Sequence, residues 1–272
     1  MTSGSKFELP PVCLTIAGLD PSGGAGLVAD IKTFTAFGCF AVAAVSSVTF
    51  QNTTGVFGAV HQSADSIRRQ VEPVLDDYEL AAVKTGMLPT REIIEEVARL
   101  IGTNGLKNVV VDPVVRSTSG FDLIDDAALS ALVEKLFPLA DLITPNLPEA
   151  ERIARMAIRS EVDVRSAADI MHRKGARNVL IKGGHPFENE TVMPGAKARD
   201  YLFLAGALTI LESDFIDTTA THGTGCTLAA AIAASLALGR DLFTAVRTAK
   251  DFVHEAIRTA PGLGKGSSPI NI

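Results

Sequence analysis

The chain has 272 residues, 47% of them hydrophobic, a net charge of −6 and three cysteines, Cys13, Cys39 and Cys226. That length and apolar content supply a sizeable core without cross-links, and cysteines with no C-x-x-C spacing argue against a disulfide framework or a zinc site. The acidic balance, the lack of a clustered Lys/Arg stripe and the absence of any run of about 18 apolar residues argue against a nucleic-acid surface, an anionic-membrane surface and a transmembrane span.

Residues 1–11 lack the long apolar stretch of a signal peptide and are expected to form a flexible tail. With reduced cysteines, a cytoplasmic location is the default expectation. Strands are then expected over 12–17, 41–50, 81–85, 109–112, 142–144 and 179–182, as short apolar runs closed by glycine, proline or polar turns. Helical patterns fall over 27–37, 63–75, 90–101, 125–137, 148–156 and 164–174. Residues 56–61, 201–205 and 208–211 read as short antiparallel additions at the sheet's edge, and 183–199 as a polar surface loop or lid. A run of small residues over 228–238 continues a glycine loop into a helix. The alternation predicts an α/β fold: one domain over 12–272 with a mostly parallel sheet covered by helices on both faces.

In such a sheet, ligands bind beyond the carboxyl ends of the strands. The residues there form a chemically coherent set: Gly18 to Gly26 after the first strand, Gln51 and Asn52 after the second, Gly86 and Met87 after the third, and Asp112, Pro113 and Val114 after the fourth. The first loop reads Gly23-Gly24-Ala25-Gly26, without the G-x-G-x-x-G spacing or the later acidic residue that a dinucleotide needs. No G-K-[ST] follows a glycine run, so a P-loop is absent as well. Thr221-His222-Gly223-Thr224-Gly225-Cys226-Thr227 has the form of a glycine loop opening a helix, with a thiol on the first turn. Unpaired amides at a helix start suit a phosphate or a developing phosphoryl anion.

These segments, with Ala29-Asp30-x-Lys32-Thr33, Lys84-Thr85-Gly86-Met87, Thr144-Pro145-Asn146-Leu147-Pro148-Glu149 and Lys182-Gly183-Gly184-His185, resemble the hydroxymethylpyrimidine and phosphomethylpyrimidine kinases of thiamine biosynthesis, in the ribokinase-like superfamily. The resemblance spans about 12–258 and implies a ribokinase-like three-layer αβα sandwich with no separate lid domain. It also implies ATP and Mg²⁺ as co-substrate and metal, a small pyrimidine as substrate, and a homodimer, for which the edge strands are the candidate contact. Cys226 is then the expected base, its thiol lowered by the helix N-terminus, and the amides of Gly223, Thr224, Gly225 and Cys226 the anion hole. Asp112 and Glu149 are the expected metal residues, through water. Lys182 and Asn146 are placed on the ATP side. Gly18, Asp30, Gln51, Met87 and Val114 are expected at the pyrimidine, the polar pair meeting ring nitrogens and the exocyclic amine.

The chain departs from the family pattern at Ala220, where an asparagine is usual, and Asp217 or Thr219 is the expected substitute. The loop over 115–121 matches loosely, with Arg116 placed to meet a substrate phosphate, and the frequent Gly-His-Gly-Pro ending is absent. The nearest rival is a pyridoxal kinase, whose dual-function relatives carry a lid cysteine; residues 183–199 contain none. A non-catalytic pyrimidine sensor and a sugar kinase are more distant rivals, disfavoured by the retained Cys226, Glu149, Asp112 and Lys182 and by the flat-ring character of Gln51 and Met87.

Overall fold

A computed structural model describes residues 9–115, 123–184 and 195–272. Its strands are β1 (Val12–Leu19), β2 (Phe40–Asn52), β3 (Gly55–His61), β4 (Leu80–Thr85), β5 (Val109–Val111), β6 (Leu142–Ile143), β7 (Val179–Gly183), β8 (Lys197–Leu204) and β9 (Ala207–Asp214). They form one sheet in the order β3-β2-β1-β4-β5-β6-β7-β8-β9. The six from β2 to β7 in that order pair in parallel, while β3 at one edge and β8 and β9 at the other are antiparallel. The short additions expected over 201–205 and 208–211 are thus a longer hairpin with continuous pairing from Lys197↔Asp214 to Leu204↔Ala207.

Successive strand residues feed two separate cores. Leu14, Val83, Val111 and Ile181 enter one, and Cys13, Ala82, Val110 and Leu180 the other, as a period of two requires when both faces are covered. The first core is roofed by α2 (Ala64–Asp77), α3 (Arg91–Thr103), α4 (Asp126–Ala131), α5 (Leu147–Ala154) and α6 (Glu161–Arg173). The second is roofed by α1 (Gly26–Ala36), α7 (Thr224–Ala237) and α8 (Leu242–Arg258). Alanines 229, 230, 231, 233 and 234 are all fully buried, so α7 can lie against β1, β4 and β5 while α1 and α8 flank it. The result is the expected three-layer sandwich, with no separate lid domain among the described residues.

Two helical segments differ from expectation. The pattern over 125–137 is α-helical only to Ala131, then passes through a π-helical turn at Leu132–Leu136 and a 3₁₀ turn at Phe137–Leu139. Pro138 has no N–H to continue a regular ladder. Helix α8 was not anticipated, although Asp241 caps it and Ala245, Val246, Ala249, Val253 and Ala256 bury one face.

The chain leaves β1 for β2 on one side and reaches β4 on the other, so the strand order reverses at β1. The crevice beyond the carboxyl ends of such strands is where a ligand fits.

Candidate active site

A cavity of about 1130 Å³ lies at these carboxyl ends, stretching from Gln51 in the last residues of β2 to Ala198 and Asp200 on β8. Helix capping marks what faces it. Helices α2, α3, α4, α5, α6 and α8 each begin with a side chain accepting from a first-turn amide: Ser63, Thr90, Asp125, Asn146, Ser160 and Asp241. Helices α1 and α7 have no such cap, and their first residues, Gly26, Thr224, Gly225 and Cys226, line the cavity. Two positive helix ends are therefore left for an anion.

Gly223 caps α7 with φ 87°, and a β-carbon there would stand 1.8 Å from the Gly24 carbonyl oxygen. Only glycine allows this turn and this approach of the two loops. The first intrahelical bond of α7 runs from the Thr227 amide to the Gly223 oxygen at 2.9 Å, so the Gly225 and Cys226 amides lie before it. The expected four-amide hole needs one correction: the Thr224 N–H donates to the Thr221 oxygen at 3.3 Å and is held in the turn.

Cys226 is half-buried on this first turn. The expectation that the helix start lowers its thiol is also corrected. Burial pushes it up to about 11, against the pull of the Lys84 ammonium and of the Gly26 amide, while Asp30 and Asp112 push the same way as burial. Dehydration of a thiolate outweighs a helix dipole here.

Lys182 and Asp112, from the ends of β7 and β5, form an ion pair of 2.8 Å with side chains 14% and 3% exposed. Thr144 donates to the same Asp112 oxygen at 2.9 Å. Burial opposes both charges, but each holds the other ionised: Asp112 is lowered by Lys182 and Lys84, and Lys182 is raised by Asp112 and Glu149. A β-carbon on Gly225 would meet the Lys182 Nζ at 3.1 Å, so the loop and the pair nearly touch. Glu149 and Asn146 form a reciprocal capping box on α5, each side chain accepting from the other's amide at 2.8 Å. Glu149 also faces the cavity, and burial raises it to about 7 despite Lys182. No cluster of three His, Cys, Asp or Glu side chains suited to a metal occurs among the described residues. Two carboxylates already engaged by protein donors do fit Mg²⁺, which keeps most of its water and takes phosphate oxygens as ligands.

At the other end of the cavity, Gly18, Gln51, Met87 and Val114 converge. A β-carbon on Gly18 would meet the Met87 sulfur at 3.0 Å, so the missing side chain makes room for the thioether. Asp30 is not with them, a correction to its expected contact with substrate. Its side chain is 0% exposed, both oxygens accept from Lys84 Nζ at 2.9 and 2.8 Å, and Thr15 donates to one at 2.6 Å. An aspartate on the inner face of α1 is turned to the sheet, where β4 supplies its partner. Lys84 belongs to the Lys84-Thr85-Gly86-Met87 segment, but nothing in a linear reading distinguishes a buried lysine from an exposed one. Arg116 and His185 lie outside the described residues, as does most of the loop over 183–199 and the tail up to residue 8.

Sequence reasoning also missed a clamp around the anion loop. The His222 ring nitrogen Nε2 lies 2.8 Å from Asp20, whose carboxylate accepts from the Ser22 amide and hydroxyl and the Ala25 amide. Burial works against the Asp20 charge, but the His222 and Ser22 hydrogen bonds outweigh it and hold the carboxyl well below its ordinary range. From the far side the carboxyl-terminal segment closes in. The His222 amide donates to Ser268, and the amides of Lys265, Gly266 and Ser267 donate to Thr53 beside Gln51. The absent Gly-His-Gly-Pro ending therefore coincides with a different closure through Gly264 and Gly266, both packed on Thr53. At Ala220, which is buried, the Thr218 hydroxyl accepts from the Ala220 amide at 3.1 Å; Thr219 is exposed and Asp217 lines the cavity.

Residues 20–271 match the family model described as phosphomethylpyrimidine kinase. The chain belongs to this kinase family. It is 43% identical to hydroxymethylpyrimidine/phosphomethylpyrimidine kinase of Haemophilus influenzae, over 95% of each chain. Among solved structures, phosphomethylpyrimidine kinase from Clostridium difficile 630 is 38% identical with a TM-score of 0.78, covering 91% of this chain and 99% of that one. An ADP complex of Bacillus subtilis pyridoxal kinase is also 38% identical, with a TM-score of 0.86 and 96% and 97% coverage. As a member of the phosphomethylpyrimidine kinase family the chain is a phosphotransferase with the ribokinase-like fold, using ATP and Mg²⁺.

Proposed function

We propose that this kinase phosphorylates 4-amino-5-hydroxymethyl-2-methylpyrimidine and then its monophosphate, with Cys226 as the base. The observation that carries the reading is the convergence of the two uncapped helix starts, Cys226, and the Lys182–Asp112 pair in one cavity. The hydroxymethyl oxygen attacks the γ-phosphorus, its proton passes to the Cys226 thiolate, and ADP leaves. The amides of Gly225 and Cys226 face the charge that builds on the transferring phosphoryl. Lys182 lies where a phosphate of ATP needs neutralising, with Asn146 beside it. Asp112 and Glu149 would hold the waters of Mg²⁺, which would supply charge stabilisation to the phosphates. Gly18, Gln51, Met87 and Val114 hold the flat ring, Gln51 supplying amide donors and acceptors and Met87 apolar contact.

Steady-state turnover of hydroxymethylpyrimidine, its monophosphate and pyridoxal, with Cys226→Ala in parallel, tests the reading. Phosphorylation of both pyrimidines that collapses in the variant supports it. Turnover of pyridoxal alone would transfer the assignment to the pyridoxal kinases, which the close structural match keeps in view.

The reading also includes a single structural unit, a cytoplasmic location and a homodimer. One continuous sheet over the described residues supports the first. For the dimer, Phe50, Phe57 and Val60 on the edge hairpin β2–β3 are 52, 69 and 55% exposed, an apolar patch of the kind that a second copy covers. Light scattering of Phe57→Glu, expected as a monomer against a wild-type dimer, checks it.

A further inference from the structure

A fully buried ion pair lies close to the site. Lys84 on β4 is wholly buried and ion-paired to the equally buried Asp30 on α1. Taking two charges out of water costs several kcal/mol per ion, and well-packed apolar residues of similar volume often do as well or better. A buried ion pair is thus weak evidence for stability, and its placement points to a role at the site. Lys84 points to the face of the sheet covered by α1 and α7, the face that Ala82 also serves. Gly86 leaves its ammonium room: a β-carbon there would stand 2.9 Å from Nζ and 3.0 Å from the Ala17 β-carbon. Cys226 lies on the first turn of α7, which packs on β4, and its sulfur accepts from the amide of Gly26, one turn from Asp30 on α1.

We propose that Lys84, held by Asp30, is a positioning residue for proton transfer: its ammonium stabilises the Cys226 thiolate and sets the pH range over which the cysteine accepts the hydroxymethyl proton. Rested on the assignment of Cys226 as base, the inference adds the group that makes that base usable. Because Lys84 itself is wholly buried, its fixed charge is little screened by salt. The charged groups acting on the sulfur come from every element around it: Lys84 from β4 lowers the thiol, Asp30 from α1 and Asp112 after β5 raise it, and the Gly26 amide assists the thiolate. Lys182 from β7 interacts with it as well. Asp30 therefore has two effects, fixing the ammonium and partly cancelling it. Lys84 keeps its proton throughout; it is held well above the ordinary lysine range, since Asp30, Cys226 and Asp112 outweigh its burial.

The test is the rate of Cys226 alkylation by iodoacetamide, followed by mass spectrometry of its peptide between about pH 7 and 9, near the ordinary thiol range. Turnover does not enter. Lys84→Met combined with Asp30→Asn removes both buried charges, and circular dichroism checks its fold. Lys84→Gln alone removes the ammonium and keeps a hydrogen-bond donor to Asp30, so it also disfavours the thiolate. A one-unit rise in the thiol cuts the thiolate tenfold while its nucleophilicity grows, a net loss of about threefold. Both variants are expected to react about threefold slower than wild type at pH 8. A folded double variant reacting as fast as wild type overturns the proposal. If it fails to fold, Lys84→Gln decides: a slower rate supports the proposal and an unchanged or faster one overturns it. Failure of the assignment of Cys226 as base shows separately, as full pyrimidine turnover by Cys226→Ala.

Discussion

A thiol pushed up to about 11 by burial is almost wholly protonated near neutral pH, and the charges around Cys226 set how much thiolate is present. The half-buried sulfur is surrounded by charges of both signs, so small changes in the site move its protonation. Replacing Cys226 with alanine is expected to lower turnover by about 10²–10⁴-fold, the usual worth of a positioned base, with the thermal midpoint little changed; a coupled ADP assay measures it. Asp20 carries a separate consequence for stability. Its folded carboxyl is depressed by His222 and Ser22, so its contribution is fully present above the unfolded value near 3.9 and fades as pH falls towards the folded one. Asp20→Asn should be less stable than wild type at neutral pH, and the gap should narrow below about pH 4. Urea denaturation across that range reads the slope; a gap independent of pH would assign the Asp20 effect to hydrogen bonding alone. Asp217 lines the cavity, and unaltered turnover in Asp217→Asn would remove it as a substitute for the missing asparagine at Ala220.

Among the helices, function shows as missing capping. Six begin with a side chain satisfying an early amide, while α1 and α7 leave theirs to the cavity. Gly223 holds α7 in that state, since its φ of 87° and its contact with Gly24 both exclude a side chain. Gly223→Ala should destabilise the fold by more than about 1 kcal/mol and abolish turnover by pushing the two loops apart. Thermal unfolding and the kinase assay together separate those effects. The carboxyl-terminal segment acts as a second brace, tying the hairpin that bears Gln51 to the loop that bears His222. Thr53→Val removes only the hydroxyl that Lys265 and Gly266 donate to. It is expected to raise the pyrimidine KM several-fold with a smaller change in kcat, because it loosens positioning at the ring rather than the proton transfer. Equal falls in kcat and kcat/KM would place the brace on the phosphoryl side instead.

At the scale of the whole molecule, the chain's own pattern determined the architecture. Apolar runs such as 81–85 and 109–112 with intervening amphipathic stretches specify buried parallel strands, since a strand covered on both faces has no polar side to alternate. The same reading collected most site residues, because glycines and polar groups at strand ends break an apolar pattern conspicuously. It did not find α8, although Asp241 caps that helix and its buried face of Ala245, Val246, Ala249, Val253 and Ala256 is set off clearly from the polar one. Nor did it find the Lys84–Asp30 pair, which joins residues 54 positions apart, or the His222–Asp20 contact, 202 apart. Both depend on which strand ends the sheet order brings together. Sequence alone therefore determined the layers, the strand ends and the identity of the groups available for chemistry, because periodicity and backbone conformation are local. Only the tertiary structure decided which charges are buried, which partner each one has and that Asp30 faces the core and not the cavity, because burial and electrostatic energy depend on neighbours distant in the chain.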